Sequence, residues 1–550
     1  MADTDTDTGQ PAHEAHAWSQ GRSGLAAAAL AGVLAGAAVL GIGELVAALV
    51  DPDASPFFVA GSTVVDHTPQ GLREAAIRRF GTHDKDVLFA SMGIVMLILA
   101  ALSGVLERRW RIGSALFVVL GVAIGVAALQ RPAATGWFVV PTIFGVVAGL
   151  IALRLLVRSP VTDSPASRST PGSGAPPELP QHDTTPPAEV AATPALSRRR
   201  FMGIAVGVGV VAVGAAAVGR YLSATLRSVA EERGKFLVPQ AVSPAPAPTP
   251  AMTRAVPGLT EFVTPNDEFY RIDTALQVPA VSSADWSLRI HGMVDRTVEF
   301  TMEDLRRRPA VSRMVTLTCV SNEVGGDLAG NAVWTGYRLA DLLREAGIHG
   351  DADMVLSRSA DGFTAGTPLE ALTDGRDALL AVGMNGAPLP LDHGYPARMV
   401  VPGLYGYVSA TKWVVDLEVT RFDRAQAYWT TRGWSELGPI KTASRIDVPA
   451  GFATLTPGPV TVAGVAWAQH RGIEKVEIQV DDGPWQPADL TAEYSTDTWR
   501  QWTYRWDATP GTHTLHVRAT DTTGATQTEQ RRPPVPDGAT GWHSRTVRVR

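Results

Sequence analysis

The sequence holds a single cysteine, Cys319, so no intramolecular disulfide can form, and neither an all-cysteine iron–sulfur site nor a Cys-x-x-Cys-His haem attachment can be built from it. Positive charge is also scarce. Lys and Arg number 48 against 54 Asp and Glu, a net charge of -6, which excludes the broad basic field that nucleic-acid binding uses. Histidine is missing from every long apolar run, so a haem held between membrane helices by two histidines is not expected. No long apolar run occurs after Arg220. The 550 residues are too many for one hydrophobic core, and they divide into an apolar N-terminal part and a soluble remainder.

Residues 24–50 are almost wholly apolar and long enough to cross a bilayer, which takes about 20 residues at about 1.5 Å each. Residues 86–106, 112–129 and 137–157 make three more runs, and residues 201–219, lighter and rich in Gly and Ala, make a fifth. The short basic connection at 107–111 (Glu-Arg-Arg-Trp-Arg) belongs on the cytoplasmic side. Alternation then puts the tail at 1–23 inside and the loop at 51–85 outside. Glu44 falls within the first run, where an ionisable group is either functional or reaches toward the interface.

Residues 158–197 carry many prolines among Ser, Thr, Gly and Ala, a composition that reads as a disordered tether. It ends in Ser197-Arg198-Arg199-Arg200-Phe201-Met202. This resembles a twin-arginine export signal placed internally, the other reading being a basic stop before the fifth span. Both place the rest of the chain outside the cytoplasm, and the membrane and its lipid are the first expected partners. The boundaries are then 24–157 for a four-helix transmembrane region, 198–220 for the twin-arginine-like segment with the fifth span, and 221–259 for a second proline-rich linker.

Over 260–430, short strand-like runs alternate with helix-like ones, such as residues 286–291 and 399–401 against 339–346 and 369–372, a pattern predicting an α+β domain. Over 431–550 the pattern changes to alternating strands at 460–467, 475–480 and 514–519, with Asp-Gly and Pro-Gly turns, as in an immunoglobulin-like β-sandwich. Trp485, Trp499, Trp502 and Trp506 are expected to fill its core or a subunit interface.

Cys319 follows the apolar approach Thr316-Leu317-Thr318 and precedes the polar stretch Asn322-Glu323 and the glycines Gly325-Gly326. Taken alone, a cysteine at the end of a strand reads first as a small buried residue. Trp334-Thr335-Gly336 follows, then Asn385-Gly386-Ala387-Pro388-Leu389-Pro390, His393-Gly394-Tyr395-Pro396-Ala397-Arg398 and Lys412-Trp413. Together, and in this order, these motifs resemble the molybdopterin-binding domain of the sulfite oxidase family, and the C-terminal sandwich resembles that family's dimerisation domain.

The resemblance implies a molybdenum–molybdopterin cofactor with Cys319 as the protein thiolate on the metal, a soft donor suited to that site. It implies Arg398 and Lys412 as partners of the pterin phosphate, the alternative being solvated surface cations, and His393 as a cofactor contact, the alternative being a core histidine. It places Asp267, Tyr270, Arg271, Ser359 and Ser409 on cofactor-contacting positions, and Asn322 and Phe363 beside Cys319 at the reacting centre. Two arginines expected four and five residues after the ligand cysteine are replaced by Glu323 and Val324, and the active-site tyrosine by Phe363. These departures disfavour a doubly charged anion as substrate and favour a neutral S-oxide or similar compound.

The leading expectation is a membrane-anchored, extracytoplasmic molybdopterin oxidoreductase that transfers an oxygen atom to or from a small-molecule substrate. It would use a separate electron-transfer partner, carry no haem or iron–sulfur cluster, and form a homodimer through the C-terminal domain. The alternatives are a sulfite oxidase proper, or a cofactor-free receptor ectodomain.

Overall fold

The computed structural model describes residues 11–69, 72, 84–131, 134–157, 198–226, 229–275 and 277–550. The tether read at 158–197, with Ser197, lies outside them. The chain divides into two compact units, Met1–Leu226 and Arg227–Arg550.

The first unit is helical: Pro11–Val50, Pro56–His67, Asp84–Trp110, Gly113–Leu129, Val140–Val157 and Arg198–Leu226. Four stretches, Gly24–Val50, Val87–Trp110, Gly136–Val157 and Met202–Tyr221, are long and apolar enough to cross a membrane. Gly113–Leu129 is an apolar helix of 17 residues. The first helix is the hub, and small residues let its neighbours close in. A Cβ on Gly32 would stand 2.0 Å from Ala100 O, and one on Gly104 1.9 Å from Ala28 O, the backbone-to-backbone approach that membrane helices use in place of a hydrophobic drive. Outward-facing Ile94, Val119, Phe144 and Val213 stay exposed, a surface that suits lipid.

The helix Pro56–His67 was not expected in the connection at 51–85. Ser55, at its N-terminal end, is buried and donates a hydrogen bond of 2.7 Å to the Glu44 carboxylate. Glu44 therefore has an internal partner, a requirement for an ionisable group at that depth.

The second unit begins with a stretch that the sequence reads as linker and the structure docks onto the fold. Arg233 donates to Leu389 O at 2.6 Å and Pro388 O at 2.7 Å, and Glu232 accepts from Ser283 Oγ and Tyr395 Oη. Ala241–Ser243 adds a parallel edge strand beside Ala310–Thr318. Proline removes donors and fixes φ, but it does not prevent a chain from binding through its carbonyls, as Pro246 O does with Tyr494 Oη at 2.7 Å.

Two sheets make the α+β core. One runs Ala241–Ser243, Ala310–Thr318, Ala329–Arg338, Leu379–Met384, Arg398–Val400, and the other Val298–Thr301, Ser287–Gly292, Val414–Thr420, Met354–Ser359, Thr364–Pro368. Helix Leu339–Ala346 buries Leu339, Leu342, Leu343 and Ala346 on one face and ends at Gly347, whose φ of 74° closes it. The sandwich beyond it has a four-stranded and a five-stranded sheet, with Gly458–Trp467 paired to Arg500–Ala508 and Ile473–Val480 to Gly511–Asp521. Trp502 and Trp506 lie in its core. Trp499 joins the core of the α+β part instead, donating from Nε1 to Phe262 O at 2.9 Å.

Candidate active site

Strands Ala310–Thr318 and Ala329–Arg338 pair antiparallel from Val311–Gly336 to Thr318–Ala329, so the chain must turn within ten residues, and Cys319 opens that turn. The turn is held from inside. Cys319 N–H donates to Leu328 O at 2.9 Å, and Asn322 Oδ1 accepts from Leu328 N–H at 2.9 Å. It is also held from the sandwich. Gln469 Nε2 donates to Thr316 O at 2.9 Å and Thr318 Oγ1 at 3.0 Å, Trp499 N–H donates to Thr316 Oγ1 at 2.8 Å, and Arg445 donates to Gly326 O at 2.8 Å.

Cys319 is 9% exposed and faces a cavity whose wall includes Tyr270, Ser321, Ser359, Phe363, His393, Arg398 and Lys412. Burial pushes its thiol up, while the N–H and hydroxyl of Ser321 favour the thiolate. Tyr270 is raised for the same reason, burial first and then the neighbouring Cys319.

Three basic side chains converge on this cavity. Arg398, 5% exposed, forms no ion pair among the described residues. It reaches His393 O at 3.2 Å and lies 5.0 Å over the Trp334 ring, and burial lowers it to about 10. Lys412 donates to Asp273 Oδ2 at 2.7 Å and Asp392 O at 2.9 Å; burial lowers it to about 8, against the pull of Asp273. His393 is lowered to about 4, chiefly by burial and further by Arg398 and Lys412 against the pull of Asp392, and its Nε2 meets Asn266 O at 3.2 Å. Neither Arg398 nor Lys412 is a solvated surface cation. Gly394 permits the arrangement: with φ of 107°, a Cβ there would stand 3.0 Å from Lys412 Cβ and 3.1 Å from Arg398 Cβ.

Other expected residues lie elsewhere. Asp267 is exposed and is not part of the cavity wall. Arg271 pairs with Asp273 at 2.9 Å, outside the wall. Ser409 is fully buried and bonded to Leu404 O and Tyr405 O. Asn322, Glu323 and Val324 line a different, larger cavity of about 890 Å³, with Lys441, Arg471 and Asp521 of the sandwich side. Asn322 thus braces the loop through Leu328 instead of facing the Cys319 cavity: residues 319–321 line that cavity, and from residue 322 the turn has passed to the other one. Sequence reasoning missed Asp273, the buried carboxylate that orients Lys412, and the aromatic residues Tyr407, Trp429 and Trp434. The run Tyr428-Trp429 with Trp434 was the available signal.

The donor set fits a molybdopterin. Among the described residues no cluster of three or more His, Cys, Asp or Glu could hold a bare metal ion, so a metal at Cys319 would take its other donors from outside the described side chains, as it does in a molybdopterin. A buried guanidinium without a carboxylate, beside a lysine and a histidine, offers the anionic part of such a ligand a desolvated seat.

Residues 275–429 match the family model for the oxidoreductase molybdopterin binding domain, and residues 444–517 that for a bacterial Ig domain. The mitochondrial sulfite oxidase of Drosophila melanogaster is 30% identical over 295 residues, 44% of this chain and 51% of that protein. The Arabidopsis thaliana sulfite oxidase is 29% identical over 285 residues, 43% and 72% respectively. The Hordeum vulgare nitrate reductase [NAD(P)H] is 30% identical over 298 residues, 42% and 32%. The chain thus spans about half the length of the first of these relatives. Among solved structures, the sulfane dehydrogenase SoxCD of Paracoccus pantotrophus aligns with a TM-score of 0.47 at 23% identity, over 58% of this chain and 90% of that one. The domain that carries Cys319, Arg398 and Lys412 is thus a molybdopterin-binding oxidoreductase domain of the sulfite oxidase type.

Proposed function

We propose that this chain is a membrane-anchored, extracytoplasmic oxidoreductase that transfers an oxygen atom to or from a small sulfur-containing substrate, an S-oxide above all. The observation that carries the reading is the single buried thiol of Cys319 sharing one cavity with the buried, carboxylate-free Arg398. When bound, molybdopterin supplies a two-electron centre that exchanges an oxygen atom. This chain's residues do the rest: Cys319 ligates, Arg398, Lys412 and His393 seat the anionic part of the cofactor, Asp273 aims Lys412, and the buried wall excludes water. Reduction of an S-oxide consumes two electrons and two protons and yields the thioether and water; oxidation is the reverse. The electrons pass to or from a separate partner.

The helical unit supports anchoring, and the arginines at the start of Arg198–Leu226 support export of the folded second unit, with the sandwich as the expected dimer contact. Metal analysis of the full chain, made in a host competent for molybdopterin synthesis, should find close to one molybdenum per chain. Cys319→Ser should abolish turnover with the fold intact. Metal-free wild-type protein would overturn the reading.

A further inference from the structure

Oxygen transfer moves protons as well as electrons: an S-oxide needs them to release water, and the reverse direction sheds them. The wall of the Cys319 cavity is largely buried, so a side chain that meets both the cavity and solvent has to carry them. Most titratable groups of the wall are engaged elsewhere. Lys412 and Asp273 hold each other at 2.7 Å, and Arg271 reaches Asp273 at 2.9 Å. Tyr407 Oη donates to Ser435 O at 2.8 Å, and burial raises both its hydroxyl and that of Tyr270. His393, lowered to about 4, stays neutral near pH 7 with Nε2 against Asn266 O, and Arg398, at about 10, keeps its proton.

Asp361 differs. It lines the same cavity, no cation pairs with it among the described residues, and it is half-exposed where its partner Ser359 is 2% exposed. Strands Met354–Ser359 and Thr364–Pro368 form a hairpin whose tip carries Asp361 next to Ser359. The tip is tight: Gly362 N–H donates to Ser359 O and Ser359 N–H to Phe363 O, each at 2.9 Å, with Gly362 at φ of 88°. Ala360 N–H donates to Trp413 O at 2.9 Å, which ties the tip to the residue after Lys412. Within it, Ser359 Oγ donates to Asp361 Oδ1, and Oδ2 has no protein partner among the described residues. A buried hydroxyl and a half-exposed carboxylate, hydrogen-bonded to each other, thus belong to one cavity wall.

We propose that Asp361 and Ser359 form the proton relay between solvent and the Cys319 cavity; this rests on the oxygen-transfer reading above. Asp361 takes a proton from solvent and passes it to Ser359 Oγ, while the Ser359 hydroxyl gives its own hydrogen to the oxygen released from sulfur. A hydroxyl suits this step because it donates and accepts at once. Over a turnover the S–O bond breaks, O–H bonds form on that oxygen until it leaves as water, and electrons from the separate partner reduce the sulfur. Asp361 returns to the carboxylate and reloads from solvent. Oxidation runs the same steps backwards.

The test uses the cofactor-loaded full chain in weak buffer with phenol red, mixed in stopped flow with reduced methyl viologen and no substrate. Viologen absorbance follows the electrons and the dye follows the protons they draw in. Asp361→Asn and Ser359→Ala should each slow proton uptake about tenfold or more. Asp361→Glu and Ser359→Thr, which keep the exchanging groups, should stay within about threefold of wild type, and added formate should restore Asp361→Asn. Equal uptake rates in wild type, Asp361→Asn and Ser359→Ala, or no uptake in wild type, overturns the proposal. Molybdenum content identifies a variant that has lost its fold, and the other position then decides. Turnover of methyl phenyl sulfoxide with reduced viologen is read separately on wild type. Its absence there would count against the oxygen-transfer reading alone, since the dye comparison needs no substrate.

Discussion

The ring of His543 lies so close against Gly325 that a Cβ on the glycine would stand 2.2 Å from its Cδ2. One residue belongs to the sandwich, the other to the turn that Cys319 opens. Gly325 also has φ of 80°, a conformation that side chains resist. Gly325→Ala therefore carries both strain and a clash, and should destabilise the second unit by about 2–3 kcal/mol. Thermal unfolding should show it, with a drop in molybdenum content of the purified protein.

His543 makes stability depend on pH. Its Nδ1 accepts from Ile446 N–H at 2.9 Å, and it is lowered from 6.5 to about 4 by burial, then by Arg545, Arg445 and Arg531 against Asp447. Between those two values the unfolded chain binds the proton and the fold does not, so stability rises with pH through that window and is lost on acidification. The full shift corresponds to about 3 kcal/mol. His543→Asn, which keeps an acceptor near Nδ1, should flatten the denaturant-unfolding free energy between pH 4.5 and 6.5 by about 2 kcal/mol, the part of the shift that falls in that window.

Arg398 trades stability for function. Burying a cation without a carboxylate is costly. Arg398→Met should therefore stabilise the cofactor-free protein by about 1–2 kcal/mol while weakening cofactor retention at least tenfold. Differential scanning calorimetry of the apo form and pterin content after gel filtration would check the two halves independently.

Replacing both Arg198 and Arg199 by lysine should hold the second unit on the cytoplasmic side. Protease applied outside intact cells would then spare it, while it digests the wild type. Equal digestion of both would point to an ordinary export route.

What the sequence made legible follows range. Helix Leu339–Ala346 was found where expected because its apolar spacing and the glycine after it act within a few residues. Cys319, Arg398 and Lys412 were picked out because their neighbours form recognisable local motifs, and the fold brings the three to one cavity. Asn322 was misdirected because motif matching locates a residue and says nothing of which side of a turn its side chain takes. Asp273 and Trp434 escaped because each owes its place to a partner more than 100 residues away or to an unfilled hydrogen bond, neither of which leaves a local pattern. The docked stretch after Val229 was read as linker because composition reports on the chain's own packing capacity and is blind to a groove supplied by other residues.

The grip of Gln469, Trp499 and His543 on the turn at Cys319 also sets a schedule. Strand Ala310–Thr318 leaves the ribosome well before the sandwich that steadies it, so the turn at Cys319 takes its final shape only after His543 has been made. Cofactor insertion is thereby postponed until translation has passed the sandwich, and a half-made chain offers the cofactor no finished seat. On the proposed export route, which would carry a folded passenger, the same delay would serve as proofreading: a chain arriving with its cofactor in place would already have built the sandwich.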